Sequence, residues 1–276
     1  MKLLGISVFI VFSAFALWVM AAFFAGPQSY TPYDHPLMKL KSPSVALQSD
    51  SLKSASEFIS QDSSHGILLK LHVSRDGQLF TATAAAFDFL KRLASEKSIE
   101  FRGLKIHQYD YDFIKSQTEQ TIPLKAWMIL SPAYWIFDVQ DNAIDVDRYV
   151  VETVETEKLE SKVIIRSSTD LVVSSLKKRK PLWIYGSSQS DNTVMLTMAS
   201  AYLEGLPRFE RDFYFTELTY RNRNMINDRV LSEVRKRQKK IAIGPVENLE
   251  EKNKALALNP DILIIKENLL DTQSQE

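Results

Sequence analysis

Gly66-Ile-Leu-Leu-Lys-Leu-His-Val73 runs straight into Ser74-Arg-Asp-Gly77. A nearly continuous apolar octet bounded by turn residues is the pattern of a strand covered on both faces, as in parallel sheets flanked by helices. Arg75-Asp76-Gly77 signals a hairpin turn, with Gln78 to Ala82 as the return strand.

Outward from this strand the chain alternates. A helical stripe over Ser49–Ile59 precedes it. Further helices are predicted over Phe87–Leu93, Ile122–Leu130, Val146–Leu159, Asp170–Lys178, Val194–Leu203, Met225–Lys236 and Leu249–Leu256. Between them lie apolar runs that read as strands: Gly103–Gln108, Trp135–Val139, Lys162–Arg166, Pro181–Tyr185, Phe213–Leu218, Lys240–Ile243 and Asp261–Ile265. Strand–helix alternation predicts a parallel α/β sheet, with a closed (β/α)8 TIM barrel favoured over an open doubly wound sheet. No Gly-rich phosphate loop follows a strand, which argues against nucleotide binding by the Rossmann or P-loop route.

The 276 residues carry 34 Lys+Arg, 34 Asp+Glu and no cysteine, with 45% apolar residues. That composition excludes a disordered chain, a disulfide scaffold, Cys-ligated zinc and a thiol nucleophile. Overall neutrality argues against nucleic acid as a partner. The apolar residues are unevenly spread, because Leu3 to Ala25 is a run of 23 residues without a charge. A helix of that length covers roughly 34 Å, enough to cross a bilayer core. Lys2 precedes the run and no Lys or Arg follows until Lys39, so the expected arrangement is a single N-terminal transmembrane helix, amino terminus in the cytoplasm and the remainder exported. A cleaved signal peptide with secretion is the alternative, although the run is long for one and Phe23 and Phe24 suit a cleavage site poorly. The expected organisation is an anchor or signal over 1–27, a Pro- and Ser-rich linker over 28–48 and a barrel over 49–276.

In order and spacing these pieces resemble the glycerophosphodiester phosphodiesterase family over roughly residues 38–270. Leu68-Leu-Lys-Leu-His-Val-Ser-Arg-Asp-Gly77 resembles the family's E-x-D-V-x-x-T-x-D-G hairpin, with Ser74, Asp76 and Gly77 in register. Ile122-Pro-Leu-Lys-Ala-Trp-Met128 resembles its iPtLeevL helix start, and Trp135-Ile-Phe-Asp-Val-Gln140 its lnIEiK strand. Val163-Ile-Ile-Arg-Ser-Ser168, Pro181 to Gly186, Lys240 to Asn248 and Asn259 to Lys266 match later strand motifs.

The resemblance implies a TIM barrel that cleaves phosphodiesters with a divalent cation, Ca2+ or Mg2+, held by carboxylates, and a pair of acid–base histidines. The matched positions do not carry that chemistry. The H-R-G position falls on Leu40-Lys41-Ser42, and P-E-N-T on Gln48 to Ser51, where the ligand Glu is replaced by Ser49. The hairpin ligands fall on Leu68 and Lys70, and H-D on Thr83-Ala84; Asp138 and Gln140 stand for the Glu and Lys of I-E-i-K. A lysine at a ligand position repels a metal. The expected reading is a pseudoenzyme with a binding or scaffolding role, against the alternative of an active phosphodiester hydrolase with a rearranged site. No cofactor is expected.

The candidate ligand-binding residues are Lys70, His72, Asp138 and Gln140. Lys70 could hold an anionic headgroup or lie along a strand end towards water. His72 could meet a ligand at the barrel mouth or be structural. Asp138 could bind ligand or pair with Lys70. Basic residues over Lys177–Lys180 and along a helix from Arg221 to Lys240 read either as a contact for anionic lipid or as a solvated face. Tyr109, Tyr111 and Phe113 read as core. Expected partners are the membrane, a phospholipid headgroup or an envelope protein.

Overall fold

In the computed structural model, residues 13–17, 20, 34–96, 105–118, 120–220 and 223–273 are described. Twelve strands are formed among them: β1 (Ser44–Gln48), β2 (Gly66–Val73), β3 (Leu79–Ala82), β4 (Thr121–Pro123), β5 (Tyr134–Val139), β6 (Val163–Ser167), β7 (Ile184–Tyr185), β8 (Phe213–Thr216), β9 (Thr219–Tyr220), β10 (Arg223–Asn224), β11 (Lys240–Val246) and β12 (Ile262–Lys266). Eight of these lie in the order β7-β6-β5-β2-β1-β12-β11-β8. All seven pairings along that path are parallel. A parallel bridge between Gly186 and Phe213 joins the two ends, so the barrel closes and the open-sheet alternative is set aside.

Each barrel strand puts alternate side chains into the barrel and the others under the helices. Ala46, Leu68, Ile136, Ile164, Ile184, Phe215, Ala242 and Ile264 fill the interior with Tyr134, Phe213 and Ile262. The opposite parity, including Leu47, Ile67, Leu69, Phe137, Ile165 and Ile243, packs against Phe58, Val150, Val173 and Val234 from the surrounding helices. Gly66 is required where it stands, because a Cβ there would lie 2.3 Å from the Tyr134 ring. That ring's hydroxyl accepts a hydrogen bond from Ser44 at 2.9 Å. Side-chain caps start the helices: Ser51 accepts from the Ser54 amide, Asn227 from those of Arg229 and Val230, and Asn248 from that of Glu251.

The barrel begins earlier than the sequence suggested. Residues 28–48 were expected to be a linker, yet Ser44–Gln48 is β1, a central strand paired with both β12 and β2. The five residues between Pro43 and Ser49 are too few to show a period. Pro36–Lys39 forms a 3-10 turn whose Leu37 joins the interior cluster, closing the amino-terminal end of the barrel.

Between β2 and β5 the chain makes an excursion with its own small core of Phe80, Phe89, Ile106, Tyr111 and Ile114. Part of the strand expected over Gly103–Gln108 lies outside the described residues, and Ile106–Gln108 is a 3-10 turn. The helix expected from Ile122 starts at Leu124, because Thr121–Pro123 pairs with β3 instead. The basic helix expected over Arg221 to Lys240 spans only Asp228–Lys236, after the β9–β10 hairpin. A last helix, Asn268–Gln273, was not anticipated.

The expected transmembrane run over Leu3–Ala25 lies mostly outside the described residues; Ser13–Leu17 within it is helical. Among the described residues, no helix is long and apolar enough to cross a membrane.

Candidate functional site

Sites in closed parallel barrels gather at the carboxyl ends of the strands. Strand parity dictates what gathers here. Lys70 follows the inward Leu68 on β2, Asp138 follows Ile136 on β5, Arg166 follows Ile164 on β6, and Lys266 follows Ile264 on β12. Gln48 ends β1 beside Lys266, Lys70 is paired with Asp138, and Asp138 with Arg166. Glu217 follows the end of β8. The mouth is therefore a ring of alternating charge above an apolar plug.

Asp138 is buried, and its Oδ1 lies 3.3 Å from Arg166 Nε. Among the described residues neither atom has a hydrogen-bond partner of good geometry, so the contact is electrostatic and open to a better-placed third group. The guanidinium carbon of Arg166 also lies 4.8 Å from the centre of the Phe215 ring. The anticipated pairing of Asp138 with Lys70 is not formed; Arg166 takes that place because its longer fork reaches across from the adjacent strand. Among the described residues Lys70 makes no ion pair, and its charge acts on Asp50 and Glu217 instead.

Burial pushes the Glu217 carboxyl above the ordinary glutamate value, and Asp138 adds to the rise while Arg166, Lys70 and Lys266 oppose it. Asp50 is raised by burial and by Glu267, against Lys70, His72 and Lys266. Glu267 receives the Ser49 hydroxyl and the Asp50 and Ser51 amides, the last two at 2.9 and 3.2 Å, which fixes the turn after β1.

His72 is buried beside the mouth. Its Nδ1 is 3.1 Å from Asp141 Oδ2, which also accepts the Val73 amide at 2.9 Å. His107 Nδ1 lies 3.8 Å from the other Asp141 oxygen. Gln140 donates to the Asp138 carbonyl at 3.1 Å and its amide to the Leu71 carbonyl at 2.9 Å, so it braces the strand ends. Tyr111 is core in the excursion; Tyr109 stacks on a partly exposed Phe113 at 5.3 Å.

The carboxylates of the mouth are interleaved with Lys70, Arg166 and Lys266, and among the described residues no group of three or more His, Asp or Glu could hold a metal ion. This donor set does not fit a divalent cation.

No family model matches the chain, and no curated protein does. Solved structures do. The glycerophosphoryl diester phosphodiesterase domain of a Mycobacterium tuberculosis protein aligns with a TM-score of 0.61 at 10% identity, covering 86% of this chain and 100% of that one. The fold is that of the glycerophosphodiester phosphodiesterases. The Thermotoga maritima enzyme aligns at TM-score 0.54 and 14% identity, over 86% and 99% of the two chains. One from Parabacteroides distasonis gives 0.55 and 13%, over 85% and 97%.

Leu40-Lys41-Ser42, set against H-R-G, lies before β1 at the closed end of the barrel. The carboxyl end of β1, where a site motif belongs, is Gln48-Ser49-Asp50, with neither histidine nor arginine. Sequence reading singled out Lys70 and Asp138 at the mouth and missed Arg166, Lys266 and Glu217. Extending the alternation from Ile164 and Ile264 by two residues would have found the first two.

Proposed function

We propose that this chain is a membrane-anchored, exported protein of the phosphodiesterase fold that binds a phosphate-bearing anionic headgroup at the barrel mouth without hydrolysing it. The observation that carries this reading is the placement of Arg166, Lys70 and Lys266 around the buried Asp138 and the half-buried Glu217. Three cations on separate strands can meet the oxygens of one phosphate, with Arg166 exchanging its poorly aligned contact with Asp138 for a phosphate oxygen. The uncharged run Leu3–Ala25 supports anchoring, with Lys2 on the cytoplasmic side; secretion after signal cleavage is the variant of this reading.

The test is calorimetric titration of the full chain with glycerophosphocholine and glycerol 3-phosphate, repeated on Arg166→Ala. Saturable binding lost in the variant supports the reading. An unchanged isotherm dismisses the mouth as the site.

A second reading, a hydrolase with a rearranged site, draws on His72. Held by Asp141 at 3.1 Å and close enough to act on Asp50, it has the arrangement of an oriented general base. Phosphodiester turnover removed by His72→Ala favours that reading over the first.

A further inference from the structure

The described chain enters at the closed end of the barrel. His35 is fixed there by its Nε2 against the Glu160 carbonyl at 3.2 Å, and Leu37 plugs the interior. The loops that lead into β5, β6, β7 and β8 all lie at this end, side by side, because those strands are neighbours. They expose Ile129 (83%) and Leu182 (71%), while Tyr202 lies under the Arg229 guanidinium at 3.6 Å. The mouth end exposes Ile144 and Leu171 as well, so the entry of the chain and the lysines, not apolar surface alone, single out this end. The same loops and helix ends expose Lys158, Lys162 and Lys178, and the entry turn exposes Lys41, with Lys39 paired to Asp34. Arg179 and Lys180, by contrast, are taken up by Asp147 and Glu155.

We infer that this amino-terminal face of the barrel docks on the anionic surface of the membrane that holds the anchor, and that the charged mouth consequently points away from it. Apolar side chains enter the interface while lysines beside them meet lipid phosphates. Each lysine held near an anionic leaflet adds about fivefold to the affinity. The tether fits: from Ala25, the end of the uncharged run, to Asp34 an extended chain spans roughly 30 Å at most. The face and the mouth are at opposite ends of the strands, so a ligand reaches the mouth from the aqueous side and not from the docked leaflet. The inference takes its tether from the anchor reading above and its surface from the described residues.

The chain has no cysteine, so single-site labelling is direct. Full-length chain with Ser131→Cys or Ser161→Cys at the closed end, or Asn142→Cys or Ser168→Cys at the mouth end, carries an environment-sensitive fluorophore. Each is reconstituted in phosphatidylcholine vesicles containing about 30% phosphatidylserine and a quencher lipid. Quenching at 131 and 161 but not at 142 and 168, lost in Lys158→Glu/Lys162→Glu/Lys178→Glu, is the expected result. Quenching confined to the mouth labels, or absent at all four in vesicle-bound protein, overturns the docking. Flotation at high salt reads the anchor separately: a chain that fails to float refutes the anchor, while quenching at low salt still decides the face.

Discussion

Arg166 and Asp138 face each other in register on adjacent strands, 3.3 Å apart, at the inner rim of the barrel mouth. Asp138 is buried and Arg166 half-buried. Removing the cation leaves a carboxylate out of water, whereas removing both charges does not. Arg166→Ala is expected to lose about 1–3 kcal/mol of stability, discounted for the partial exposure of the arginine. Arg166→Ala with Asp138→Ala should recover more than half of that loss. Urea unfolding of the two single variants and the double variant measures it; additive losses would show that the pair is not coupled.

Anion binding at the mouth should strengthen as pH falls. Glu217 and Asp50 are both raised above ordinary carboxylate values, chiefly by burial, so they take up protons while other carboxylates stay charged. Each proton removes a negative charge beside Lys70 and Lys266. Glycerophosphocholine, whose diester phosphate keeps its single negative charge throughout, is expected to bind more tightly as pH falls from neutral towards the carboxylate range, and Glu217→Gln should bind more tightly at pH 7 with a flatter profile. A profile that Glu217→Gln leaves unchanged would contradict this.

Gly186 couples barrel closure to the mouth. A Cβ there would meet the Phe215 ring at 2.5 Å and the Arg166 Cβ at 3.0 Å. Gly186→Ala must therefore move the ring on which the guanidinium rests. The expected cost is about 1–3 kcal/mol of stability with a parallel loss of anion affinity. Thermal shift with and without ligand separates the two effects.

The sequence carried the barrel more clearly than the mouth. Long apolar runs such as Gly66–Val73 and Trp135–Val139 are strands because both faces must be covered, and that shows in composition. Ser44–Gln48 does the same job in five residues, and only its neighbours β12 and β2 reveal it as central. Thr121–Pro123 is a strand solely because β3 offers it an edge, which no local propensity records. At the mouth, Lys70 and Asp138 were legible from motif position. Their pairing was not, because which cation reaches Asp138 depends on Arg166 lying across the sheet rather than along the chain.

At the closed end, burial pushes the Lys239 amine down to about 8, against the opposing charge of Asp212. The unfolded chain holds its lysine proton to about pH 10.4, so between these values it binds more protons than the folded chain and stability rises with pH. Tyr214, raised by burial to about 12, and Tyr134, also raised by burial, reverse the trend from about pH 10, where unfolded phenols ionise first. Chemical unfolding should therefore give a higher midpoint near pH 9.5 than near pH 8, and Lys239→Met should remove most of that difference. A midpoint that falls over this interval would place the lysine charge differently.

Phosphorus NMR of glycerophosphocholine mixed with the full chain and Ca2+ or Mg2+ reads binding and cleavage in one sample. The account predicts a broadened and shifted phosphodiester resonance, absent with Arg166→Ala, and no glycerol 3-phosphate signal as the mixture stands. A growing phosphomonoester resonance that chelator abolishes would contradict it.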